Sequence, residues 1–186
     1  MKKILSFILL GATSFVASAQ SSSLDELSTD KAYTIYNPFY TTYAVYNAEK
    51  STSLVWAAGM TASDKTIADQ SYTTPFNAAD PSSSWMIVPF NEQWFVYNLG
   101  AKKFMAVGHT AANASTASAK LQDTPVAVEF TSNGNGGFHL RSYDGNQNFL
   151  CAAPQLSYPI SIWTSADNGS TWKIEENAQV QADYET

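Results

Sequence analysis

Near the end of the chain, several residues have the types and spacing to hold an uncharged polar ligand. Trp163, Asp167 and Asn168 stand close together in "ISIWTSADNGSTW" (160–172), and Asp144 and Asn146 flank Gly145 in an earlier turn. An indole face packs against apolar carbon, while carboxylate and amide groups exchange hydrogen bonds with hydroxyls. Together they suit a sugar. Taken singly, each residue also has a structural use: Asp144-Gly145 and Asn168-Gly169 are hairpin-turn pairs, and Trp163 can cap a barrel. Tyr46-Asn47 and Tyr97-Asn98 form a second candidate set, read at the same place in two similar stretches where a third has Arg141-Ser142.

Catalysis needs converging titratable groups, and few are present. His109 lies in a Gly-His-Thr turn and His139 in a strand-like run; Cys151, the only cysteine, sits between apolar neighbours where a buried thiol is inert. No serine has a nucleophile-elbow context, and no His-x-x-x-His or Cys-x-x-Cys spacing offers a metal site. Asp64, Asp69, Asp80, Asp123, Asp144 and Asp167 all occupy turn-like contexts, where Asp serves the backbone. The sequence therefore reads as a chain with no catalytic residues, no metal and no cofactor, and not as an enzyme. Ten Lys and Arg against sixteen Asp and Glu give a net charge of −6, with Arg141 the only arginine and the basic residues scattered. Nucleic acid and membrane insertion are excluded as partners on this reading, since phosphate binding relies on clustered Lys and Arg.

The elements that must position these residues begin after a leader. "MKKILSFILLGATSFVASAQ" has a basic pair, an apolar run and Ala17-Ser18-Ala19, the pattern of a secretory signal peptide cut after Ala19. Residues 1–19 are assigned to it, residues 20–30 to a polar leader, residues 31–177 to one domain and residues 178–186 to a polar, acidic tail. Loss of Lys2 and Lys3 would take the charge to −8. The location expected is periplasmic or secreted. A lone cysteine allows no internal disulfide, which fits bacterial export.

Between the leader and the tail, short runs of alternating apolar and polar residues are bounded by Gly, Asn, Asp, Ser and Pro, an all-β pattern. Three stretches echo one another: "AVYNAEKSTSLVWAAG" (44–59), "WFVYNLGAKKFMAVG" (94–108) and "HLRSYDGNQNFLCAAP" (139–154). Val45, Val96 and Leu140 open them, and Leu54, Phe104 and Phe149 follow as anchors expected to converge on a common core. Closing runs place Trp85, Val126 and Trp172 in register, and "SAKLQ" (118–122) and "PISIW" (159–163) supply a further strand. Three copies of four strands at a period near 45 residues predict a β-trefoil with pseudo-threefold symmetry. "YTIYN" (33–37) is left over, either as the true first strand or as an addition. Copy one carries an insertion between about 60 and 84, and Trp56 is aligned with Ala106 and Cys151.

At these residues the sequence resembles the ricin-type β-trefoil family of lectin-like modules, many of them in secreted bacterial proteins. "ISIWTSADNGSTW" looks like the family's apolar strand, Trp, polar turn and closing Gln-x-Trp, with Trp85 and Trp172 at the closing position. The Gln is replaced by Ser83, Thr124 and Ser170, and no Asp stands in "LVWAAG", "FMAVG" or "FLCAAP", where the family places its sugar-binding carboxylate. The resemblance implies a non-catalytic binding scaffold without that Asp-dependent pocket. Two readings follow. In the first, the chain recognises a glycan or cell-surface polysaccharide through a shallow aromatic and amide site. In the second, it binds a protein, as a protease inhibitor or host-surface binder, through exposed loops such as the insertion with Tyr72, Pro75 and Phe76.

Overall fold

The computed structural model describes residues 20–21, 23–59, 75–107, 119–142, 149–152, 160–163 and 166–183. Twelve strands fall into three sets of four. Copy one holds β2 (Tyr33–Asn37), β3 (Thr42–Tyr46), β4 (Val55–Ala58) and β5 (Trp85–Phe90). Copy two holds β6 (Gln93–Asn98), β7 (Lys103–Ala106), β8 (Lys120–Gln122) and β9 (Val128–Ser132). Copy three holds β10 (Phe138–Ser142), β11 (Phe149–Cys151), β12 (Ser161–Trp163) and β13 (Lys173–Glu176). A two-residue strand, β1 (Gln20–Ser21), pairs with β13.

First and fourth strands build a barrel in the order β13-β2-β5-β6-β9-β10. Phe138 and Trp172 seal it by exchanging backbone hydrogen bonds of 2.7 and 2.8 Å. Second and third strands form three antiparallel hairpins. These meet in a ring: Val55 N–H donates to the Ala119 carbonyl at 3.0 Å, Ala119 N–H to Ile160 at 2.9 Å, and Ile160 N–H back to Val55 at 2.9 Å. Such a cycle requires three equivalent hairpins around one axis, which defines the β-trefoil.

Side chains alternate across a strand, so one set of every strand faces the axis. Ile35, Val96 and Leu140 do so on the first strands, Ala44, Met105 and Leu150 on the second, and Ala57, Leu121 and Ile162 on the third, all in one core cluster. The buried indoles of Trp85 and Trp172 join them and donate to the carbonyls of Ala44 and Leu150, each at 2.8 Å. Leu24 and Leu27 of the leader pack against this core, and Val180 and Ala182 of the tail pack on a smaller cluster of Met86, Tyr97, Leu99 and Phe104.

Four details of the repeat differ from the sequence reading. Tyr33–Asn37 is the true first strand, so copy one is offset by one strand and Val45 belongs to a second strand rather than opposite Val96. The inward residues are Ala44, Met105 and Leu150, while Phe104 and Phe149 lie one position earlier and on the other face; Leu54 stands beside β4 and bridges Lys120. In copy two the position of Trp85 and Trp172 is Val128, not Val126, because Trp94 pairs with Val128 as Tyr33 does with Trp85 and Phe138 with Trp172. Trp56 corresponds to Lys120 and Ser161, and it is buried with Val45 and Ala58.

Candidate functional site

Cross-strand register sets up one row of outward side chains per copy. On the copy-three side, Glu129 on β9 of the neighbouring copy two lies opposite Arg141 on β10, Arg141 opposite Phe149 on β11, and Phe149 opposite Trp163 on β12. Directly opposed residues of antiparallel strands share a face, so the four side chains form a band across four strands. The corresponding rows are Lys173-Tyr36-Tyr43-Ala58 in copy one and Met86-Tyr97-Phe104-Gln122 in copy two.

The chain itself covers two of the rows in part: Tyr36, Tyr43 and Lys173 of the first are half-buried, and Met86, Tyr97 and Phe104 of the second are buried, although Phe104 also lines an open cleft. Phe76 lies flat on Tyr43, ring centroids 3.6 Å apart and planes within 12°. Val180 and Ala182 pack on the cluster that contains Met86, Tyr97 and Phe104. The third row is partly open at its two ends: Trp163 is half-buried and the side chains of Arg141 and Glu129 keep 23% and 35% of their exposure, while Phe149 between them is buried.

This row also carries the polar chemistry. Arg141 Nη2 donates to Glu129 Oε1 at 2.7 Å. His139, on the same face of β10, meets the Phe149 ring edge-on at 5.8 Å and contacts Thr171 Oγ1 at 3.2 Å. Because the Thr171 hydroxyl donates to the Asp167 carbonyl, Nε2–H of His139 is the donor in that contact. Burial holds the His139 pKa below its ordinary 6.5, with Asp167 pulling weakly the other way, so the imidazole is neutral at pH 7. Burial pushes the Cys151 thiol up to about 11, which leaves it protonated and unreactive. Among the described residues, no group of three or more His, Cys, Asp or Glu could hold a metal.

The candidate residues divide sharply. Trp163 is in the open row. Asp167 is exposed, but its carboxylate caps the 3-10 turn Asn168–Ser170, accepting from Ser170 N at 3.1 Å. Asn168 is exposed on that turn. Asp144 and Asn146 lie outside the described residues. Tyr97 is buried in the second row, and Asn98 is 0% exposed with its amide engaged at both ends: Nδ2 donates to the Ser82 carbonyl at 3.0 Å and Oδ1 accepts from Ala101 N at 2.8 Å. Asn98 therefore fastens a hairpin and offers nothing to a ligand.

The copy-one counterpart of Tyr97-Asn98 is Tyr36-Asn37, not Tyr46-Asn47. Asn37 donates to the carbonyls of Asn168, Gly169 and Thr171 at 3.2, 2.8 and 3.0 Å and accepts from Tyr40 N at 2.9 Å. Asn47 instead closes a local turn, accepting from Glu49 N and Lys50 N; Tyr46 beside it is half-buried and packs against the core. Sequence reading missed Glu129, Arg141, Phe149 and His139 as a group. Only Arg141 gave a signal, as the sole arginine.

A second surface feature is an open cleft of about 500 Å³ lined by Val88, Phe90, Gln93, Phe95, Phe104, Pro125 and Ala127. Phe90 is 64% exposed at its rim.

The barrel, the hairpin ring and the rows define the chain as a β-trefoil. No protein-family model and no curated protein matches its sequence. Among solved structures, the ricin B-like lectin of Macrolepiota procera, in complex with lactose, is similar at a TM-score of 0.60 and 14% identity, covering 80% of this chain and 97% of that one. The Rhizoctonia solani agglutinin matches at 0.55 and 15%, covering 79% and 95%. ThreeFoil, a designed threefold-symmetric protein, matches at 0.51 and 14%, covering 77% and 97%. Two of these three are a lectin and an agglutinin, and at such identities the likeness is one of fold.

Proposed function

We propose that this chain is an exported, non-catalytic module that binds carbohydrate on the outer face of copy three. The observation that carries this reading is the row Glu129-Arg141-Phe149-Trp163, which joins aromatic side chains to a donor and acceptor pair that the corresponding rows lack. Trp163 supplies the stacking face, and Asp167, close enough to His139 to act on its charge, stands at the border. The lectin-like folds of the similar structures support a glycan as ligand, and the leader at residues 1–19 supports export. Lactose, the sugar bound by the Macrolepiota procera lectin, is a rational first probe.

A glycan array with residues 20–186, run beside Trp163→Ala, tests the proposal. Binding by the wild type and its loss in a variant that keeps the wild-type circular dichroism spectrum and Tm is the expected result. A folded wild type that binds no glycan removes the proposal, and binding unchanged by Trp163→Ala removes this face as the site.

The apolar cleft beside Phe90 favours a second reading, in which the trefoil captures a protein. The insertion supports it less, because Phe76 is turned onto Tyr43 and Tyr72 lies outside the described residues. Under that reading, Phe90→Asp abolishes partner capture and Trp163→Ala leaves it intact.

A further inference from the structure

Arg141 and Glu129 give the copy-three face a polarity that the fold itself does not require. The same backbone register carries Tyr97 and Met86 where copy two meets copy one, and Tyr36 and Lys173 where copy one meets copy three, without an ion pair between the opposed residues. Nor is the pair a fully satisfied clamp: Arg141 Nε is buried and makes no hydrogen bond among the described residues, although a buried unpaired donor is destabilising. The two side chains, joined at 2.7 Å, are both partly exposed at the end of the row.

Their position along the row fixes the size of what they can contact. Two strand spacings, on the order of 10 Å, separate Arg141 from Trp163, and a single pyranose ring is narrower than that. We infer that the site takes an uncharged glycan of at least two residues, one stacked on Trp163 and the next presenting vicinal hydroxyls to Arg141 and Glu129. Each hydroxyl both donates and accepts, so neighbouring hydroxyls can bridge the guanidinium and the carboxylate, one accepting from Arg141 and the other donating to Glu129. A carboxylated sugar is disfavoured there, because Glu129 already neutralises Arg141 and would repel it.

This inference rests on the carbohydrate reading of the same face, and the experiment separates the two. Calorimetric titration compares the best array ligand, its terminal monosaccharide and a deoxy analogue lacking one vicinal hydroxyl, against wild type, Glu129→Gln and Arg141→Lys. The expected result is at least about a tenfold loss of affinity for the longer glycan in both variants, no change for the monosaccharide, and a deoxy analogue that binds wild type as weakly as the glycan binds the variants. A merely structural ion pair would move Tm and leave the ratio of glycan to monosaccharide affinity unchanged. Glycan binding that is unaffected by either variant, or monosaccharide binding as tight as that of the longer ligand, overturns this inference alone. Absence of any glycan binding by wild type overturns both.

Discussion

At the scale of single residues, the buried asparagines show how one side-chain type can be decisive without being functional. The Asn37 amide ties the β2–β3 turn to the 3-10 turn Asn168–Ser170, more than a hundred residues away in sequence. Asn37→Ala removes the amide from the part-buried Thr171 carbonyl and Tyr40 N–H and from the Asn168 and Gly169 carbonyls, which keep the backbone donors Thr171 N and Ala152 N, and at 1–3 kcal/mol for each group orphaned a net loss of about 3 kcal/mol is expected. Asn98→Ala, which breaks one donor contact and one acceptor contact, should cost less; urea midpoints at unchanged slope would give the order. His139 makes a separate prediction. Its folded pKa lies below 6.5, so the unfolded chain takes up the proton first as pH falls. The stability from neutral His139 is complete above the unfolded value and is lost below 6.5, through the folded pKa. The Tm advantage of wild type over His139→Gln should therefore shrink between pH 7.5 and 5; an advantage independent of pH would refute the assignment.

At the scale of elements, the indole of Trp172 joins barrel to hairpin. Trp172→Phe keeps most of the ring but removes the N–H bonded to the Leu150 carbonyl inside the core. A loss of about 2 kcal/mol in chemical denaturation is expected from the orphaned carbonyl and the space left behind. The strands themselves were legible because alternation is a local property. Their register was not. "IYN" and "VYN" recur in copy one, at residues 35–37 and 45–47, and only the long-range bonds of Asn37 decide which belongs beside Tyr97-Asn98. The slip from Val128 to Val126 has a similar cause: a shift of two residues along a strand preserves the face, and "VAV" (126–128) offers a valine at both places. Trp163 could be picked out from sequence as an aromatic in a strand, but its partners Glu129, Arg141 and Phe149 reach it only through pairing across four strands, which no spacing records.

For the whole molecule, three equivalent copies have acquired three different outer faces. The insertion brings Phe76 onto Tyr43 of one, the tail brings Val180 and Ala182 against the cluster that holds Met86 and Tyr97 of another, and the third carries Trp163 and the ion pair. The leader and the tail are part of this body: β1 extends the sheet beside β13, and Val180 and Ala182 pack against the cluster of Met86, Tyr97, Leu99 and Phe104. A single cooperative unit follows from a closed barrel. Tryptophan fluorescence and far-UV circular dichroism should report coincident urea transitions for residues 20–186; separated transitions would mean that one copy unfolds ahead of the others.

The ring through Val55, Ala119 and Ile160 has no starting point within any one third of the polypeptide. Each of its links is indifferent to whether the two ends belong to one molecule or to several. A backbone nick between Asn91 and Glu92, at the exposed β5–β6 tip, would leave every link in place and both pieces clasped together. Three separate thirds could in principle close the same circle about a true symmetry axis. The architecture is thus divisible without being dissolved, and that independence is what leaves each third free to diversify its own surface.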